Sequence, residues 1–319
     1  VKILFDTDPG IDDAMALLFI AARPDLELLG ITTVFGNADI ETTTRNALYL
    51  TRRFGIAAPV RRGAAAPIAG ERRPAPVHVH GHDGLGDLLD LATLAPPDAE
   101  PAHRFLIRTI RAHPGEVTLV AIGPLTNLAL ALDEAPDIAG LVRRVVVMGG
   151  AFGWGGGRRG NVSPVAEANM LNDPVAADRV LTAGWPVTLV GLDVTTRCIL
   201  TDVAAAELGA RGGEAGAFLN AISRGYAAIY RTHDGLDGCC LHDVAAVACA
   251  IDPGLFTMSC GPIRVVTEGI AAGQTIQKPE AQSFPPGAWD DCPVQSACRD
   301  VDADGVAALF LSALTCSGG

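Results

Sequence analysis

Short, unbroken apolar runs return along this chain, separated by stretches with helical spacing. Lys2 to Asp6, Leu26 to Val34, Val117 to Ile122, Val142 to Met148 and Val187 to Leu192 are strand-length and show little polar alternation. Strands of that kind are covered on both faces. Between them, Asp12 to Ala22 puts Met15, Leu18, Phe19 and Ala22 on one face of a helix. Glu41 to Phe54, Phe105 to Ala112, Leu125 to Leu132 and Pro174 to Ala183 also read as helices. The alternation predicts an α/β fold with a mostly parallel central sheet flanked by helices. After Thr201 the rhythm changes. Val203 to Arg231, His242 to Ile251 and Asp302 to Leu314 read as helices, and Ile263 to Ile276 as two strands around Gly269 and Gly273. No linker interrupts the chain, so residues 1–319 read as a single domain with a helical C-terminal part.

Charge and cysteine usage narrow the function classes. With 24 Lys and Arg against 36 Asp and Glu, the net charge is −12. So acidic a chain repels phosphates and is a poor general binder of nucleic acid. The longest uncharged apolar stretch, Val117 to Leu132, is interrupted by Gly123, Pro124, Thr126 and Asn127. It falls short of the roughly 20 apolar residues of a membrane helix. The opening VKILFD reads as a strand, not a signal peptide, which places the expectation in the cytoplasm. Cys198, Cys239, Cys240, Cys249, Cys260, Cys292, Cys298 and Cys316 form no CxxC pair. Free thiols are expected, rather than a zinc site or a disulfide framework.

In α/β sheets, chemistry collects beyond the carboxyl ends of the strands. There the first strand runs into Asp6-Thr7-Asp8-Pro9-Gly10-Ile11-Asp12-Asp13, with four carboxylates in eight residues. Side by side they repel. A hard cation with six to eight oxygen ligands would offset that repulsion. Asp12 could instead cap the helix, since acidic residues suit a helix N-terminus, but that accounts for one carboxylate and leaves three.

The segment DTDPGIDDAMA resembles the N-terminal signature of the inosine-uridine type of nucleoside hydrolase. Further elements follow in that family's order: Gly36-Asn37, His80-Gly81 leading to Gly84-Leu85, GPLTN at 123–127, MGGA at 148–151, Asn161 through Glu167 to Asn169, Asp173-Pro174, and His242-Asp243. The resemblance spans most of the chain and implies an open, Rossmann-like nucleoside hydrolase fold.

Its functional implications are specific. One Ca²⁺ per subunit would be held by Asp8, Asp13, the main-chain carbonyl of Thr126 (or of Leu125) and Asp243, all oxygen donors as a hard cation requires. The reaction would be hydrolysis of the N-glycosidic bond of a ribonucleoside to ribose and free base. Ca²⁺ would orient and acidify the attacking water, and Asp8 would take its proton. Asp12, Asn37, Asn161, Glu167 and Asn169 would grip the ribose: Asp12 the 2′-hydroxyl, Asn169 the 3′-hydroxyl, Glu167 with Asn161 the 5′-hydroxyl. Asn161 and Asn169 also admit a plain reading as turn residues. A purine anion leaves poorly, and His242 is the implied general acid, with Tyr226, Tyr230 and His80 on the base side. His82, two residues from His80, competes for that place as a loop histidine, and the His-Gly-x-x-Gly-Leu match favours His80. His242 points to the inosine-uridine or pyrimidine-preferring branch, and a homodimer or homotetramer is implied by analogy.

Several stretches depart from the pattern. The segment Val77 to Asp87 carries three His and two Asp, and Trp154 to Arg159 is Gly-rich with two Arg. Gln282 to Cys298 holds Pro285, Pro286, Trp289 and two Cys, with no reading from the pattern. Arg72 to Val77 and Gly153 to Gly160 read as mobile loops. Two other classes compete with the hydrolase. A catalytically silent ribose- or ribonucleoside-binding protein would need neither the base Asp8 nor the donor His242. A two-metal phosphoesterase would need a basic phosphate grip or a second His/Asp cluster, and the matched motifs hold neither.

Overall fold

A computed structural model of the chain describes residues 1–87, 97–279 and 281–315. Its first half alternates strand and helix: β1 (Lys2–Thr7), α1 (Ile11–Ala21), β2 (Glu27–Thr33), α2 (Ile40–Arg53), β3 (Val60–Arg62), the single turn α3 (Val77–His80), α4 (Ala102–Ala112), β4 (Val117–Ala121) and α5 (Thr126–Glu134). The alternation continues through β5 (Arg144–Met148), α6 (Ala168–Asn172), α7 (Pro174–Leu181), β6 (Val187–Val190) and α8 (Leu192–Thr195). A two-strand ribbon, β7 (Ile199–Leu200) with β8 (Cys239–Cys240), brackets α9 (Asp202–Arg211) and α10 (Gly213–Asp234). Then come α11 (His242–Ile251), β9 (Phe256–Val265), β10 (Thr275–Gln277), β11 (Val294–Val301) and α12 (Ala303–Thr315).

Nine strands form one sheet in the order β10-β9-β11-β6-β5-β4-β1-β2-β3. All pairings from β11 to β3 are parallel, whereas β9 pairs antiparallel with both β11 and β10. The chain runs outward from β1 through β2 to β3, then returns to lay β4 on the other flank of β1. Strand order therefore reverses between β1 and β4, and their carboxyl ends open a crevice there. The side chains of β1 explain why it lies in the middle: Ile3, Leu4 and Phe5 are all buried and feed the layers on both faces.

The parallel core agrees with the expected single α/β domain. The C-terminal part is helical, as expected, and also supplies β9, β10 and β11 to the nine-stranded sheet. The one the sequence pattern misses is β11, which starts inside Gln282 to Cys298. It reads poorly because its only buried residues are Gln295, Ala297, Cys298 and Val301. Gln295 is 1 % exposed and works as a polar rivet. Its Oε1 accepts from the Val187 amide at 2.8 Å, and its Nε2 donates to the carbonyls of Leu181, Ala183 and Trp185 at 3.1 to 3.3 Å. These bonds tie β11 to the entry of β6. The short edge strand β3 was also unforeseen.

The described cysteines are all free, and five are buried; Cys316 lies outside the described residues. No described helix is long and apolar enough to cross a membrane.

Gln295→Leu should cost about 2 kcal/mol of stability, because it leaves a buried amide and several carbonyls without partners. Urea unfolding measures it, with activity of the folded fraction unchanged. A variant as stable as the parent would show that the rivet is dispensable.

Candidate active site

The acidic segment occupies the turn from β1 into α1, at the β1/β4 crevice. Its residues are fixed by the backbone. Asp13 is 1 % exposed and fully engaged: Oδ1 accepts from the Thr7 hydroxyl at 2.6 Å and the Asp8 amide at 3.2 Å. Its Oδ2 accepts from the Gly10 amide and from Asn37 Nδ2, both at 2.9 Å. The helix cap is thus Gly10, whose amide donates to Asp13 Oδ2, and the capping role offered for Asp12 is corrected. Asp12 sits one residue earlier and faces α10, where its Oδ2 accepts from the Tyr226 hydroxyl at 3.2 Å.

Asp8 is also 1 % exposed. Its Oδ2 accepts from the Asn37 amide at 2.7 Å, and its Oδ1 has no partner. Gly36 and Gly123 press on either side of the carboxylate. A Cβ on Gly123 would lie 2.5 Å from Oδ1, so both loops need glycine at these close approaches. Asp12 Oδ1 is the second buried, unpartnered oxygen of the site.

Asp243 enters from the first turn of α11 and is buried. Carboxylate oxygens of Asp12, Asp13 and Asp243 lie within 4.8 Å of one another. This trio takes in Asp12, whereas the expected ligand set had Asp8, which lies against the trio. Burial pushes all four carboxyls up: Asp12 and Asp13 to about 6, Asp8 and Asp243 well above the usual range, with neighbouring carboxylates adding to the burial effect in Asp13, Asp8 and Asp243. Buried like charges, two orphaned oxygens and an all-oxygen donor set fit a hard divalent cation.

Thr126 is the first residue of α5, directly after β4. Its hydroxyl donates to Asp173 Oδ2 at 2.7 Å, and the same carboxylate oxygen accepts from the Ile68 amide at 2.9 Å. Leu125 precedes the helix as its cap, and its carbonyl accepts from the Ala129 amide at 3.0 Å, the first bond of α5. Asn127 braces the turn from beneath, donating to Asp6 Oδ1 and to the Thr33 carbonyl.

Among the expected sugar-side residues, Asn37 holds Asp8 and Asp13 as described. Asn169 is buried in α6 and its Nδ2 donates to the Ile122 carbonyl at 2.8 Å, so it is no turn residue. Glu167 caps α6 and accepts from the amides of Asn169, Gly150 and Met170. Asn161 is exposed in a turn, where its Oδ1 accepts from the Ala168 amide at 3.0 Å.

The residues expected on the base side come together. Tyr226 and Tyr230 stack edge to face, one turn apart on α10, with ring centroids 5.0 Å apart. His80 is buried with its ring 5.8 Å from that of Tyr226, and its Nδ1 accepts from the Ile11 amide at 3.3 Å. His82 is exposed. The extra carboxylates of that segment fold it: Asp83 accepts from the Leu85 and Asp87 amides, and Asp87 from that of His82. His242 opens α11, with Nε2 2.7 Å from the Tyr230 hydroxyl and Nδ1 2.7 Å from that of Thr195. Burial lowers both His80 and His242 to about 4, so both rings are neutral at neutral pH.

Three residues of this network had no assigned role in the sequence reading. Asp173 was visible only as part of a motif. Thr7 stands inside the acidic segment with no role of its own assigned there, and Thr195, beside Thr196, carries no signal that sets it apart. The Gly-rich stretch Gly153 to Gly160, expected to be mobile, is tethered. Asp193 accepts from the Phe152 and Trp154 amides at 2.8 Å each, and Arg158 pairs with Asp234 at the end of α10. The Cys239-Cys240 pair is buried beside Tyr230, and burial raises both thiols, Cys240 to about 12.

Comparison with known proteins gives a consistent result. The family model for inosine-uridine preferring nucleoside hydrolase matches residues 3–308. Uridine nucleosidase 1 of Arabidopsis thaliana is 41% identical over 280 residues, covering 86% of this chain and 81% of that protein. A solved plant nucleoside hydrolase superposes with a TM-score of 0.94 at 37% identity, covering 98% of each chain. A purine-preferring ribonucleoside hydrolase from Gardnerella vaginalis gives a TM-score of 0.90 at 32% identity, covering 99% of each chain.

The acidic cluster makes a prediction about stability. A carboxyl whose folded pKa is raised favours folding while protonated, and that advantage is lost as pH rises through the folded value. Asp12 and Asp13 at about 6 and Asp6 at about 7 set the window. In EGTA, the melting temperature should therefore fall as pH rises from about 4, where the unfolded carboxyls ionise, to about 7, where the folded ones have done so. Ca²⁺ at a hundredfold excess over its dissociation constant should restore about 2.7 kcal/mol at the upper end. An unchanged melting temperature with and without Ca²⁺ would count against a cation at this cluster.

Proposed function

Because the chain belongs to the inosine-uridine preferring nucleoside hydrolases, enzymes of ribonucleoside hydrolysis, we propose that it is a Ca²⁺-dependent N-glycosidase of the inosine-uridine or pyrimidine-preferring kind. The observation that carries the reading is the convergence of Asp12, Asp13 and Asp243 at the strand-order switch, with unpartnered buried oxygens on Asp8 and Asp12. Asp8, Asp13, Asp243 and the Thr126 carbonyl would hold the ion, with Asp12 beside them. When bound, the ion supplies positive charge that acidifies and orients a water.

The rest is done by the chain. Asp8 Oδ1 is the proton acceptor: Asn37 fixes the other oxygen, and Gly36 and Gly123 leave the carboxylate no other place. A base must be ionised, and a neighbouring cation reverses the upward push that burial and Asp13 give Asp8. Asp12 Oδ1 is an acceptor for the ribose 2′-hydroxyl, and a 2′-deoxyribose would leave it buried and unpaired. Asn169, its amide oriented by the Ile122 carbonyl, serves the 3′-hydroxyl, and Glu167 with Asn161 the 5′-hydroxyl. On the base side, His80 accepts the Ile11 amide at Nδ1 and so carries its proton on Nε2. His242, Tyr230 and Tyr226 form a chain of N–H and O–H donors that engage one another here, and a departing base would draw a donor from that chain. Their hydrogen bonds strengthen as negative charge collects on the departing base. The likeness to a uridine nucleosidase supports uridine as the first substrate to try. A homodimer or homotetramer belongs to the same proposal, and light scattering at the mass of one chain would remove it.

A reducing-sugar assay on ribonucleosides and 2′-deoxyribonucleosides, with and without EGTA, tests the reading. Ribose release from ribonucleosides alone, lost in EGTA, is expected; no release from any of them would favour a silent binding protein. Asp8→Ala should abolish turnover, and a variant with the parent kcat would refute the base assignment. His242→Ala should lose about 100-fold on uridine or inosine. A nitrophenyl riboside, whose leaving group needs no acid, should lose far less. Equal losses on both substrates would refute the donor role.

A further inference from the structure

Thr195 closes the short helix α8, is fully buried, and has its hydroxyl 2.7 Å from Nδ1 of His242. From the other ring nitrogen the contacts continue: Nε2 to the Tyr230 hydroxyl at 2.7 Å, Tyr230 to Tyr226 at 3.2 Å, and Tyr226 to Asp12 Oδ2 at 3.2 Å. These four contacts form one line, and its far end has a fixed direction. An ionised carboxylate only accepts, so Tyr226 spends its single proton on Asp12. Tyr226 can then only accept from Tyr230, which spends its own proton there. Tyr230 is left as an acceptor, and the donor facing it is Nε2–H of His242. A neutral imidazole holds one proton, so Nδ1 accepts, and Thr195 donates to it. Run this way, four protons fill four contacts. Run the other way, with Nδ1–H donating to Thr195 and Tyr230 donating to Nε2, the two tyrosine oxygens face each other with no proton between them.

We propose that Thr195 is a positioning residue for the reaction: its hydroxyl donates to Nδ1 of His242 and keeps the ring proton on Nε2, the nitrogen that faces Tyr230 and the base side. The inference rests on the reading of His242 as a donor to the leaving base. Thr195 touches no substrate. It acts through the ring, by satisfying a buried nitrogen that would otherwise accept nothing, and by locking the imidazole against a flip or a change of tautomer.

Two experiments test it. In protein labelled with ¹⁵N-histidine, the ring signals of His242, assigned by their loss in His242→Ala, should show a protonated Nε2 and a bare Nδ1 at neutral pH. Thr195→Val keeps the shape of the side chain and removes the hydroxyl. It should lower kcat on uridine by about 10-fold while changing KM little, and barely affect a nitrophenyl riboside. Thr195→Ser should restore the parent behaviour. A wild-type ring protonated at Nδ1 overturns the assignment, and so does Thr195→Val with equal losses on both substrates or none on either. The wild-type spectrum decides even if Thr195→Val does not fold. Equal losses in His242→Ala overturn the donor reading, and with it the catalytic consequence for Thr195, whereas the ring signals report on Thr195 alone.

Discussion

The central constraint on this molecule is the burial of like charge. Asp8, Asp12, Asp13 and Asp243 are each less than a tenth exposed; oxygens of the last three lie within 4.8 Å of one another, and Asp8 lies against them. An arrangement of this sort costs stability unless donors or a cation compensate it. The chain provides donors selectively. Asp13 is saturated by Thr7, Gly10, Asn37 and the Asp8 amide, while Asp8 and Asp12 each keep one oxygen free. Compensation is incomplete at the two atoms the proposed chemistry uses.

The fold makes this concentration possible. β1 is buried between β2 and β4, so its carboxyl end is the one place where the strand order opens and a loop can enter the crevice from either side. The loop after β4 brings Gly123 against Asp8, and α11 brings Asp243 from the same end of the sheet. Helix α10 closes the other side with two tyrosines whose hydroxyls link Asp12 to His242. The acidic cluster and His242 are thus joined by one hydrogen-bonded line and not merely adjacent.

How much of this was legible in the sequence depends on whether it was local. β1, α1 and α11 were read to within a residue, because apolar runs and helical spacing are local signals. The acid segment was legible as chemistry for the same reason, and His80 was separated from His82 by a short motif. Elements defined by partners distant in the chain were not. β11 is a strand because Gln295 reaches back to the approach to β6, and its composition does not announce it. Thr195 matters because the chain returns to it 47 residues later at His242. A hydroxyl that satisfies one remote nitrogen leaves no periodic trace.

β11 also bears on how the protein is made. It is inserted between β6 and β9, so β9 and β10 reach the parallel sheet only through it. As the chain grows from its N-terminus, β6 is completed long before Val294 exists. Until then one flank of the sheet is an open edge, able to pair with any passing strand. The β9-β10 hairpin, already synthesised, has nothing to attach to. The nascent protein passes through a stage in which most loops of the candidate site are present but its sheet is unsealed. The last strand then acts as a keystone, and the open edge of β6 is closed only when it arrives.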